Sequence, residues 1–212
     1  AVELLYSLPL NSFTLINDEN YEEYWDKTFN VLLKAQVQLI RETLPYIQKS
    51  ESGRIVNISS TEGLGATPRQ SPYTSAKHGV IGLTKSLAVE LGSTGITVNC
   101  ICPGPIRTGM TEKIPEEDKN LYAKRRVPLK RYGEPEEVAQ ATLNFCLPSS
   151  SFINGAVLPV DGGLTIKRAY IFIFFGKHGE FIIAFSRVYN AHRGNQVVHI
   201  GLHVLVHLPW IV

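Results

Sequence analysis

Cysteine is scarce in this 212-residue chain, and charge of either sign is nearly balanced. The three cysteines are Cys100, Cys102 and Cys146, and the first two alternate within what reads as a buried strand, a poor geometry for a disulfide. This argues against a disulfide-stapled secreted scaffold and predicts a reducing, cytoplasmic setting. Lysine and arginine number 21 against 19 aspartate and glutamate, which leaves no strong field to hold nucleic acid or an anionic membrane. Long hydrophobic runs are missing too. AYIFIFF (169–175) and EFIIAF (180–185) are separated by GKHG and fall short of the ~20 apolar residues a spanning helix needs. The opening AVELLYSLPLNSF lacks the basic start and long apolar centre of a signal peptide, so secretion is not expected.

What is present is 44% hydrophobic and 19% charged, a composition that suits one globular domain with a sizeable core. Residues 17–48 open with a capping asparagine and acidic residues and continue amphipathically, which predicts a helix. RIVNISS (54–60), ITVNCICPG (96–104) and AVLPVDGG (156–163) read as strands. The stretch from Ser71 and the segment EPEEVAQATLNFCL read as helices, the latter with Pro135 in its first turn. Strands alternating with helices of this length predict an α/β fold, a parallel sheet with helices on its faces. The segment from about 105 to Gly133 reads as polar and charged. From residue 169 onward the character changes: five of nine phenylalanines and one acidic residue, Glu180, fall there. The expected division is 1–168 as the α/β domain and 169–212 as an atypical aromatic-rich extension. Within that extension His199, His203 and His207 recur at four-residue spacing. The β-branched residues alternating with them favour a strand, on which such histidines are ~13 Å apart, too far to share one metal ion.

SPYTSAKHG (71–79) carries the chemistry. Tyr73 and Lys77 stand four apart on a predicted helix, so phenol and ammonium project from one face. An unperturbed phenol has a pKa of about 10, and a fixed cation nearby lowers it. Tyr73 could then give a proton to a carbonyl oxygen as hydride arrives at carbon, or take it back in reverse. Hydride transfer needs a nicotinamide cofactor, NAD or NADP. Ser60, at the carboxyl end of RIVNISS, lies where ligands meet open parallel sheets and could donate to the same oxygen.

NISS ending one strand, thirteen residues to the tyrosine of YxxxK, and ITVNCICPGPIRTGM ending the next strand together resemble the short-chain dehydrogenase/reductase family. The resemblance runs from about Tyr21 to Ile166 and implies a Rossmann-like sheet. It implies that Ser60, Tyr73 and Lys77 are the catalytic serine, tyrosine and lysine, with Lys77 also bonding the nicotinamide ribose. By the same resemblance Pro103, Gly104, Ile106 and Thr108 match the PGxIxT segment that lies along the nicotinamide. The cofactor-binding set is therefore Tyr73, Lys77, Pro103, Gly104, Ile106 and Thr108, with no metal. The run VPLKRYGEPEEVAQATLNFCLPSSSFINGAVLPVDGG resembles 3-oxoacyl-carrier-protein reductase-like members, in which Asp161, Gly162 and Gly163 close the last strand. A small carbonyl or alcohol substrate is implied. So is a homo-oligomer built on the helices of 34–46 and 73–91. Substrate choice in such proteins depends on a variable loop, here GMTEKIPEEDKNLYAKRR.

Two features depart from the family pattern. The glycine fingerprint TGxxxGIG is not found, so the fold is expected to be N-terminally truncated. Leu32 stands where an active-site asparagine is usual, with Asn30 two residues early and expected to point away, which predicts an impaired proton relay. Two functions follow from this reading: a carbonyl/alcohol oxidoreductase dependent on NAD or NADP, or a non-catalytic remnant that pairs with an intact relative.

Overall fold

The computed structural model describes residues 14–167 throughout and, beyond them, the backbone of four strands between 171 and 201. The chain divides into two units, Ala1–Ile166 and Lys167–Val212. In the first, α1 (Tyr21–Phe29), a π-helical turn (Asn30–Lys34) and α2 (Ala35–Ile47) form one helical run. Then come β1 (Arg54–Ile58), α3 (Ser71–Leu91), β2 (Thr97–Pro103), α4 (Glu116–Arg126), α5 (Pro135–Cys146) and β3 (Val157–Val160). The three strands form a parallel sheet in the order β1-β2-β3, with Ile58 opposite Ile101 and Ile101 opposite Leu158. The α/β reading is met.

The core explains the placement. Along β1 burial alternates, whereas the first six residues of β2 are all buried, as expected of a strand covered on both faces. α3 presents Ala76, Val80, Ile81, Thr84, Ala88 and Leu91 at helical spacing. Val80 and Ile81 pack with Cys100 and Cys102 of β2, and Ala88 and Leu91 with Ile40, Ile55, Ile96 and Val98. Asparagines tie the strands where no ladder runs. Asn99 donates to the Ile153 carbonyl (2.8 Å) and accepts from the Ala156 N–H (3.0 Å). Asn154 accepts from the Val98 N–H (2.9 Å) and donates to the Ala88 carbonyl (2.8 Å). Cys100 and Cys102 are free, buried thiols, and Cys146 is free and exposed.

Two expectations are corrected. The first helix starts at Tyr21, not Asn17. The Asp18 carboxylate accepts the Asn20 N–H at 2.9 Å and holds the preceding residues in turns. The segment read as merely polar contains α4, whose burial is limited to Lys119 and Ala123, so no apolar stripe marks it. Its signal is electrostatic: Glu116, Glu117 and Asp118 occupy the first turn and Lys124, Arg125 and Arg126 the last, matching the helix dipole.

In the second unit β4 (Ile171–Phe175) pairs antiparallel with β5 (Phe181–Phe185), and β6 (Val188–Arg193) with β7 (Gln196–Gly201). His199 lies on β7 opposite Asn190, a strand as its alternation predicted. His203 and His207, like the amino-terminal stretch read for a signal peptide, lie outside the described residues. No described helix is long and apolar enough to cross a membrane.

Candidate functional site

Ser60 leaves β1 in extended conformation and caps a short 3-10 turn, Thr61–Gly63. Its hydroxyl oxygen accepts the Glu62 N–H at 3.1 Å. Ser59, one residue earlier, turns inward and donates to the Lys77 carbonyl at 2.8 Å, pinning α3 to the end of β1. α3 opens at Ser71 with Pro72 in its first turn, where a missing N–H is harmless. The Ser71 hydroxyl and the Tyr21 phenol share a hydrogen bond of 2.8 Å, which ties α1 to this end of α3.

Tyr73 and Lys77 do share a face of α3. The ammonium lies 5.7 Å from the centre of the tyrosine ring. Tyr73 is half-buried, and the Ser60 hydroxyl lies close enough to its phenol to oppose the effect of burial on its ionisation. Lys77 is 4% exposed and donates to the Ile58 carbonyl at 3.2 Å. Burial pulls its ammonium down to about 8, against the opposing pull of the Cys100 and Cys102 thiols. The two neighbouring thiols act on each other and split, Cys102 lowered and Cys100 raised, and Cys100 Sγ donates to the Ile101 carbonyl at 3.6 Å.

The expected lowering of the phenol by Lys77 is not what the site contains. Burial pushes the Tyr73 phenol above its ordinary value, the Ser60 hydrogen bond opposes this, and the Glu62 carboxylate pushes further upward. The lysine is spent on the strand carbonyl, and its own charge is diminished by burial. A raised phenol is protonated at neutral pH, and a weaker acid than a free tyrosine.

The PGPIRT segment sits at the end of β2 beside this cluster. Gly104 donates its N–H to the Val160 carbonyl at 3.0 Å, and a Cβ there would lie 2.7 Å from the Asp161 Cβ. Ile106 is buried and bridges to Gly133. The Thr108 N–H donates to Thr111 Oγ1 at 3.0 Å, while its own hydroxyl, half-buried, keeps its hydrogen-bonding capacity. Asp161 accepts from the N–H groups of Gly163 and Thr165 (both 2.8 Å) and from Thr165 Oγ1 (2.7 Å), closing a turn in which Gly162 and Gly163 have φ of +62° and +87°. Only glycine takes such angles freely. A cavity of about 540 Å³, lined by Pro105, Ile106, Leu129, Arg131, Glu137 and Asp161 among others, shares Pro105 and Ile106 with this segment but includes none of Ser60, Tyr73 and Lys77.

Leu32 is 3% exposed within the π-helical turn and Asn30 is exposed, so the two point apart as expected. The Leu32 carbonyl accepts from Gln36 Nε2 at 2.6 Å. Two residues near the site had no signal in the sequence. Glu62 follows Ser60 in a loop, where a glutamate reads as solvated, and Tyr122 sits on the unrecognised α4; the Glu62 carboxylate bears on both the Tyr73 and the Tyr122 phenols.

Comparison with known proteins agrees with this geometry. A family model described as Enoyl-(Acyl carrier protein) reductase matches residues 16–165. The chain is 46% identical over 145 residues to the 3-oxoacyl-[acyl-carrier-protein] reductase FabG of Thermotoga maritima, covering 68% of this chain and 58% of the relative. It is 42% identical over 145 residues to the (2S)-[(R)-hydroxy(phenyl)methyl]succinyl-CoA dehydrogenase subunit BbsD of Thauera aromatica, with the same coverages. The chain thus spans less than two thirds of the length of these relatives. Among solved structures, a 4-hydroxyisoleucine dehydrogenase mutant complexed with NADH and succinate matches with a TM-score of 0.69 and 32% identity, over 77% of this chain and 68% of that one. Acetoin dehydrogenase YohF from Salmonella typhimurium matches with a TM-score of 0.63 and 29% identity, over 74% and 61%. With a Rossmann-like parallel sheet, the Ser60, Tyr73 and Lys77 cluster and these matches in place, the chain belongs to the short-chain dehydrogenase/reductase family.

Proposed function

We propose that this protein is an oxidoreductase that interconverts a carbonyl and a secondary alcohol with NAD or NADP. The observation that carries the reading is the convergence of Ser60, Tyr73 and Lys77 from the end of β1 and the first turns of α3. The donor set fits the nicotinamide end of the cofactor. Lys77 has three donors and uses one on Ile58, which leaves two for ribose hydroxyls, and Thr108 has an uncommitted hydroxyl. Tyr73, Lys77, Pro103, Gly104, Ile106 and Thr108 would hold that end. The cofactor, when bound, supplies or accepts hydride.

In the reductive direction Ser60 and Tyr73 both donate to the substrate oxygen, and Tyr73 releases its proton as negative charge develops there. Lys77, with two donors left after its bond to the Ile58 carbonyl, would hold the ribose hydroxyls. In the oxidative direction the phenolate takes the proton back. The relatives' printed activities, on 3-oxoacyl-carrier protein and on a hydroxy-acyl-CoA, support a small-molecule carbonyl or alcohol as substrate. A reducing, cytoplasmic setting is supported by the free buried Cys100 and Cys102. Self-association through α2 and α3 is supported by exposed Leu39, Tyr46 and Val89 on those helices. A pairing role without catalysis gains no support from the comparisons.

The test is titration of the purified protein with NADH and NADPH, followed by nicotinamide fluorescence, and then a screen of carbonyl substrates with Tyr73→Phe as control. Saturable binding and turnover that falls at least ~100-fold in Tyr73→Phe are expected. Turnover unchanged in that variant would overturn the assignment of Tyr73.

A further inference from the structure

The loop between β1 and α3 is tied at both ends by one residue that the mechanism above does not use. Glu62 donates its backbone N–H to the Ser60 hydroxyl oxygen at 3.1 Å. Its carboxylate accepts from Thr67 Oγ1 at 2.6 Å, within the loop, and from Thr74 Oγ1 at 3.1 Å, on the first turn of α3. Thr74 directly follows Tyr73. Between these anchors Arg69 has φ of +68°, a left-handed angle that a side-chain-bearing residue holds only where its surroundings impose it.

Two effects follow. A serine oxygen has two lone pairs and one proton. With the Glu62 N–H on one lone pair, the Ser60 proton is left to point elsewhere, and the phenol of Tyr73 is the neighbour it meets. The half-buried carboxylate is also a fixed negative charge that favours the protonated phenol.

We propose that Glu62 is a positioning residue of the carbonyl/alcohol reaction, bracing the loop onto α3 so that the Ser60 hydroxyl stays aligned with Tyr73. The proposal rests on Ser60 and Tyr73 being the groups that meet the substrate oxygen. The titratable and charged groups around the cluster include Tyr73 and Lys77 on α3, Tyr21 on α1, Cys100 and Cys102 on β2, and Tyr122 with Arg126 on α4.

Glu62→Gln keeps the size of the side chain and one acceptor but removes the charge, Glu62→Ala removes the brace, and Glu62→Asp is the conservative rescue. Two readouts are taken on the full chain: turnover against pH, and ionisation of the Tyr73 phenol by ultraviolet absorbance, isolated by difference from Tyr73→Phe. Glu62→Ala is expected to lower kcat ~10-fold without weakening cofactor binding, and Glu62→Asp to recover part of the loss. Glu62→Gln is expected to move the Tyr73 ionisation, and the pH profile with it, to lower pH. Turnover in Glu62→Ala equal to that of the wild type would overturn the proposal, as would a Tyr73 ionisation that is the same in Glu62→Ala as in the wild type. If the wild type turns over no carbonyl, the assigned reaction fails, and the phenol titration alone still decides the case of Glu62. Should Glu62→Ala fail to fold, Thr74→Val, which removes the donor that ties Glu62 to α3, carries the same decision.

Discussion

The Lys77 ammonium stands 5.7 Å from the centre of the Tyr73 ring and gives its hydrogen bond to the Ile58 carbonyl at 3.2 Å, so strand β1 fixes a cation directly behind the phenol. A cation so placed carries a cost when nothing else neutralises it. Burial has brought Lys77 to about 8, from an ordinary 10.5.

Between those two values the unfolded chain binds a proton that the folded chain does not, so stability rises with pH across the window from about 8 to 10.5. Below about 8 the full cost is present. Lys77→Met is therefore expected to be more thermostable than the wild type at pH 7, with the advantage shrinking toward pH 10. The pH-dependent part is on the order of 3 kcal/mol. A difference in Tm that stays constant from pH 7 to 10 would contradict the buried-cation account.

Gly104 lies where β2 meets the turn after β3. Its replacement by alanine puts a Cβ 2.7 Å from the Asp161 Cβ and 2.8 Å from the Asp161 Cα, and backbone must move to relieve the contact. Gly104→Ala is expected to lower stability by about 1–3 kcal/mol, read as the urea midpoint. It should also weaken NAD(P)H binding, because the same shift displaces Ile106 and Thr108. An unchanged midpoint would mean that the two strand ends separate freely.

Asp161 is held below the ordinary carboxylate range: burial alone would raise it, and the hydrogen bonds from Thr165, Gly163 and Leu164 outweigh that. Its stabilising contribution is present above the ordinary value and is lost as pH falls through the lowered one. Asp161→Asn should cost about 1–2 kcal/mol at neutral pH and lose less stability than the wild type on acidification. Parallel acid denaturation curves for the two proteins would exclude this role.

The strands were legible because Ile55, Val98, Ile101 and Val157 lie in short β-branched runs bounded by turn residues. The candidate site was legible because Ser60, Tyr73 and Lys77 match a strand-end serine and a YxxxK helix in a combination that resembles the family. Less was legible where charge, not apolar period, makes the structure. α4 buries only Lys119 and Ala123, so its acidic start and basic end were the sole signal. The sign of the Tyr73 shift was not legible either. Spacing places Lys77 beside the ring, but only the folded arrangement gives the lysine to Ile58 and brings Glu62, from a loop, to bear on the phenol.

β2 lies between two parallel neighbours, and each of those neighbours reaches it only after dozens of intervening residues. Loop closure must then precede any reward from pairing, which makes assembly of this sheet slow relative to formation of α3. The same arrangement makes β2 a clock for whole-domain opening. Its Val98 and Cys100 amides, bonded to the Asn154 side chain and the Ala156 carbonyl just ahead of β3 and buried on the central strand, can exchange with solvent only when that side of the sheet comes away. The last hydrogens to exchange in this domain should therefore report its global unfolding rate rather than any local motion.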